Sequence, residues 1–80
     1  MNIEHKAFNI VLNPKFKAVD KQYAWINKQL RLLFPEYYSF EFCVLKNRVT
    51  INMYGHVWKN GQLVRYKKYI SSLKSNIVSV

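Results

Sequence analysis

Apolar and polar residues alternate from Ala7 to Leu12, with Phe8, Ile10 and Leu12 on one side and Ala7, Asn9 and Val11 on the other. Successive side chains of a strand point to opposite faces, so this period of two predicts a first β-strand. The period then changes. Phe16, Val19, Tyr23, Ile26, Leu30 and Leu33 follow one another at spacings of three or four, which places them on one face of an α-helix. Asn13 followed by Pro14 suits an N-cap and a first helical residue. Asp20 is the alternative N-cap, because Lys15 and Lys17 gain nothing from the positive end of a helix dipole. Pro35 disfavours helical geometry at Phe34 and predicts that the helix ends there.

The second half of the chain predicts a three-stranded meander. Asn60-Gly61 is a strong signal for a two-residue type I′ hairpin turn, which needs positive φ at both central positions. That turn sets Trp58 opposite Leu63, Val57 opposite Val64 and His56 opposite Arg65. A second two-residue turn at Lys46-Asn47 sets Val44 opposite Val49, Phe42 opposite Ile51 and Phe40 opposite Met53. Both registers put one set of residues on a common face: Phe40, Phe42, Val44, Val49, Ile51, Met53, Val57, Val64 and Tyr66. Packed on the helix stripe, this face gives an α+β fold, a two-layer β-α-β-β-β arrangement with one helix on an antiparallel meander. Gly55, opposite Tyr66, is expected to leave room for that ring. Ser71 to Val80 carries weak signals, so the expected organisation is one globular domain over residues 1–70 and a C-terminal tail over 71–80, flexible or forming a short extra strand.

Composition narrows the class. Eighty residues allow one modest core. Half the residues are apolar, which takes the chain out of the disordered class despite a net charge of +9. Thirteen Lys and Arg against four acids leave most cations without an acidic partner, and the resulting field attracts phosphates or acidic surfaces. The lone cysteine, Cys43, cannot form an internal disulfide. Met1 to Lys6 holds Glu4 and lacks an apolar run, and no stretch approaches the roughly eighteen apolar residues of a membrane span, so neither a signal peptide nor a span is expected. A cytoplasmic protein without membrane association, metal or cofactor is the expectation.

The chemistry concentrates on the other face of the meander. Alternation places Arg48, Tyr54, His56 and Trp58 on the middle strand there, with Arg65, Lys67 and Tyr69 across from them, and Lys68 adds to the charge. Rings that stack on bases beside cations that neutralise phosphates are what a nucleic-acid surface needs. A solvated face of no function is the competing explanation. Lys17, Lys21, Lys28 and Arg31 form a secondary basic stripe on the helix, suited to phosphate contacts that position without reading sequence. Trp25 lies off the apolar stripe and is a candidate anchor for a protein partner, or a residue covered by the tail.

Catalysis has few raw materials. Glu4, Asp20, Glu36 and Glu41 are scattered, so no carboxylate pair or metal cage is suggested and no catalytic residue is assigned. His56 beside Tyr54, Trp58 and Arg65 leaves a small metal-independent ribonuclease as a minor alternative. The layout of a helix and a meander resembles that of double-stranded RNA-binding domains and small ribonuclease toxins, but without a shared motif, and no residue is carried over. Two main readings stand. One is a small basic protein that binds nucleic acid, DNA or RNA, through the aromatic and basic sheet face. The other is an inhibitor or modulator, of the type found in phages and mobile elements, that docks on an acidic surface of a host nucleic-acid-processing protein.

Overall fold

The computed structural model describes residues 3–12 and 19–77. In chain order these form α1 (Ile3–Leu12), α2 (Val19–Leu33), β1 (Tyr37–Val44), β2 (Arg48–Lys59), β3 (Gln62–Leu73) and a 3-10 turn (Lys74–Asn76). The strands make one antiparallel sheet in the order β1-β2-β3. Both helices pack on one of its faces, so the fold is α+β, with two helices preceding a meander.

The first element corrects the expected strand. Ala7, Phe8 and Val11 are buried, which is a helical stripe, and Ile10 and Leu12 pack against the same core. Five of the six residues from Ala7 to Leu12 are apolar, so the segment satisfies both periods at once. A helix closes its backbone hydrogen bonds within itself, whereas a strand needs a neighbour to do so. Glu4 in the first turn also suits the positive end of the helix dipole.

In α2, Ile26 and Leu30 are buried and Leu33 is half-buried, as the stripe predicts. The proposed cap at Asn13-Pro14, with Phe16, lies outside the described residues. The helix stops before Pro35, and Phe34 N–H still donates to the Leu30 carbonyl at 2.8 Å. Tyr37 N–H then donates to the Phe34 carbonyl at 3.1 Å, turning the chain into β1. Tyr23 is exposed but its ring lies on Phe42, with centroids 4.7 Å apart.

The sheet has the registers that the two turns dictate: Val44, Phe42 and Phe40 pair with Val49, Ile51 and Met53, while Trp58, Val57 and His56 pair with Leu63, Val64 and Arg65. Asn60 and Gly61 have φ of 53° and 76°, both in the left-handed region that a type I′ turn requires. At the other hairpin, Leu45 N–H donates to the Arg48 carbonyl at 2.8 Å.

One core joins Phe8 and Val11 of α1, Ile26 and Leu30 of α2, and Phe40, Val49, Ile51 and Met53 of the sheet. Each such side chain contributes roughly 1.5–3 kcal/mol by leaving water. The core is shorter than the alternating face. Val44, Val57, Val64 and Tyr66, all expected inside, are exposed, and Phe42 is only half-buried. Lengths explain Val57, Val64 and Tyr66: a 15-residue α2 covers about 22 Å, whereas the 12-residue β2 runs about 40 Å. Val44 and Phe42 sit beside the buried Val49 and Ile51, but on β1, an edge strand. The sheet outruns the helices that cover it.

At the other end of β3, Ser71 to Leu73 continue the strand. Lys74 N–H donates to the Asn47 carbonyl at 2.9 Å, and Ile77 returns to the core. Gly55 does pair with Tyr66, but the crowding there comes from elsewhere. A Cβ at Gly55 would lie 3.0 Å from the Glu36 carbonyl oxygen and 3.2 Å from the Tyr37 ring. The start of β1 presses on Gly55, and an irregularity between Tyr37 and Ser39 displaces Tyr38 from the register.

Candidate functional site

β1 pairs with β2 only as far as Gly55, so from His56 to Arg65 the sheet narrows to two strands and a turn. Four paired positions at about 3.3 Å each give this arm a length of roughly 13 Å. Every residue from His56 to Tyr69 is exposed, on both faces. Among the arm's large apolar side chains Trp58 is the extreme, with 72% of its surface open, and Leu63 faces it across the ladder. After Glu41 the sequence holds seven Lys and Arg and no acid. The arm therefore carries Lys59 and Arg65, with Lys67 and Lys68 at its foot, and no carboxylate of its own.

The sheet face turned away from the helices brings together most of the residues singled out from sequence. Tyr54, His56 and Trp58 alternate along β2, with Lys67, Arg65 and Leu63 opposite them. The half nearest the body is already engaged. Tyr54 donates its hydroxyl hydrogen bond to the Glu41 carboxylate, while the Arg65 guanidinium sits 4.6 Å from the Tyr54 ring centroid. The bond to Glu41 is the main cause that raises the Tyr54 phenol above its ordinary pKa, with Arg65 pulling the other way. Tyr38 stacks on His56 at 4.8 Å with the rings 12° from parallel. Both rings gain a protein partner, and Arg65 is held in place by its own. Tyr38 and Glu41 were not singled out. The hairpin register already sets Glu41 beside Tyr54, but no pattern in the sequence marks the bulge that aims Tyr38 at His56.

Two of the predicted residues fall elsewhere. Lys68 is opposite Met53 and so lies on the helix-bearing face, one residue out of step with Lys67. Arg48 begins β2, roughly 30 Å along the strand from Trp58, where its Nη1 donates to Ser71 Oγ at 2.8 Å. Lys21, Lys28 and Arg31 are exposed on α2. Because α2 packs on the opposite side of the sheet, this stripe is a separate surface; Lys17 lies outside the described residues. Trp25 is half-buried and packs against the core, so it is no exposed anchor.

At the foot of the arm, Glu36, Tyr37, Gly55, His56, Val57 and Tyr66 line an open cleft of about 220 Å³. The Tyr37 and Tyr66 rings stack across it, 6.2 Å apart. Burial, followed by Tyr66, raises the Tyr37 phenol above its ordinary pKa. The chain matches no family model, no curated protein and no solved structure. Among the described residues no three His, Cys, Asp or Glu side chains gather where they could hold a metal ion, and no helix is long and apolar enough to cross a membrane. What distinguishes the molecule is the arm: narrow, cationic, bare on both faces, and tipped by an exposed indole.

Proposed function

We propose that this protein binds nucleic acid through the β2–β3 arm and its foot. The observation that carries the reading is the run from His56 to Tyr69, exposed on both faces, acid-free and bearing Trp58. Cations this dense supply the sequence-independent part of affinity by releasing condensed counterions from phosphates. Trp58 supplies a large flat apolar contact, and Arg65, held over Tyr54, presents its guanidinium with little left to lose in side-chain freedom. A cytoplasmic setting agrees with this use.

The test is fluorescence anisotropy of labelled DNA and RNA oligonucleotides at two salt concentrations. With four phosphates neutralised, affinity falls about a hundredfold between roughly 50 and 200 mM salt. Trp58→Ala removes that apolar contact and weakens binding at least about fivefold, the equivalent of roughly 1 kcal/mol. Absence of binding to every polynucleotide at low salt overturns the reading.

A second reading draws on Val57, Val64 and Tyr66, an exposed apolar strip on the arm's other face, flanked by Lys59 and Lys68. Such a strip suits an acidic protein surface with apolar sockets, and in that reading the protein is a modulator that docks on a nucleic-acid-processing enzyme. Affinity then survives digestion of all nucleic acid in the sample, whereas the first reading requires it to disappear.

A further inference from the structure

Building on the nucleic-acid reading, we propose that the partner is double-stranded DNA and that the arm enters its major groove. The first reason is the state of the rings. A single strand is held on successive free ring faces, each stacked by a base. Here the Tyr54 ring is covered by Arg65 on one side, and His56 is paired with Tyr38. The rings left without such partners, Trp58 and Tyr69, stand six residues apart in register, about 20 Å, too far for neighbouring bases.

The second reason is shape. A two-stranded ribbon fits a B-form major groove about 12 Å wide and 8.5 Å deep, and the arm from His56 to Arg65 is roughly 13 Å long. The third is the placement of charge. Lys67 and Lys68 leave opposite faces of β3, so the foot of the arm carries cations on both sides. A single strand offers one phosphate backbone, whereas a groove is walled by two. The out-of-step position of Lys68, which sets it apart from the aromatic face, is what a two-walled partner uses.

The tip supplies the chemistry of base edges. Asn60 and Gln62 carry the amide that pairs with adenine N6 and N7, and Lys59 donates to guanine O6 and N7. Behind them Trp58 and Leu63 on one face, and Val57 and Val64 on the other, match thymine methyl groups. A-form RNA keeps its major groove deep and narrow, out of reach of such an arm.

The experiment measures the intact protein against three labelled probes of one sequence: a DNA duplex, an RNA duplex and a DNA single strand. Methyl green serves as a major-groove competitor and netropsin as a minor-groove competitor. The DNA duplex is expected to bind at least about tenfold more tightly than either other probe, with displacement by methyl green and not by netropsin. Asn60→Gly keeps a residue that accepts positive φ, and together with Gln62→Ala it weakens duplex binding about fivefold or more while leaving the thermal midpoint near that of the native protein. Equal or tighter binding to the single strand or the RNA duplex, or displacement by netropsin alone, overturns the groove assignment and leaves the nucleic-acid reading standing. Failure to bind all three probes removes both.

Discussion

Ile51 and Val57 lie on the same strand, on the same face, with the same branched apolar chemistry. The first has no exposed surface and the second has 47%. Their difference shows that alternation along a strand decides which face a residue joins, while burial is decided by whatever lies across from that face. For β2 the cover ends where α1 and α2 end. One half of the β2–β3 ladder is core and the other is an instrument that reaches out of it.

The sharpest test of this contrast is a matched pair of truncations. Ile51→Ala is expected to cost about 2–5 kcal/mol, because it opens a cavity between sheet and helices. Val57→Ala is expected to change stability by no more than about 0.5 kcal/mol. Urea denaturation of both variants measures the gap, and equal losses would mean that the arm's face is covered in solution. Gly55→Ala probes the border between the two halves. The new methyl group meets the Glu36 carbonyl and the Tyr37 ring, so a loss of roughly 1–3 kcal/mol is expected from displacement of the start of β1. An unchanged midpoint would show that β1 does not press on β2 there.

The smallest effect concerns pH. The Tyr54 phenol is raised above its ordinary value of 10.0, first by the hydrogen bond to Glu41. A folded-state pKa above the unfolded one means that its contribution to stability is complete below about pH 10 and is lost as pH rises through the folded value. Native protein should therefore lose stability more steeply than Tyr54→Phe as pH rises above about 10, as read from urea midpoints. Identical slopes would remove the Glu41–Tyr54 bond from the account.

The parts of this fold legible in the sequence are those fixed locally. Asn60-Gly61 has one low-energy use between two strands, and once that turn is placed every pairing from Lys59–Gln62 to Arg48–Leu73 follows. Lys68 was grouped with the cations of the aromatic face, although alternation from Lys67 puts it on the helix side. The helix α1 was not legible, because an almost wholly apolar run carries no period of its own. Nor was the exposure of Val57, Val64 and Tyr66, which depends on where two helices stop relative to a sheet. Trp25 illustrates the same limit, as a residue off the apolar stripe can still reach the core when its side chain is long. Of the candidate site, the alternating cations and rings were readable, but the pairing of Tyr38 with His56 arises from an irregularity in β1 that no spacing announces.

Beyond the Tyr38–His56 stack at its foot, the arm is held by the β2–β3 ladder, with neither helix nor paired third strand beside it. An isolated hairpin is marginal in water, so this stretch opens on its own, far more often than the domain unfolds. Amide protons of Trp58 and Leu63 then exchange with solvent through brief local fraying, while those of Ile51 and Ile70 wait for global unfolding. A partner that closes around the arm suppresses that fraying, and part of its binding free energy is spent on quieting a segment the fold leaves restless.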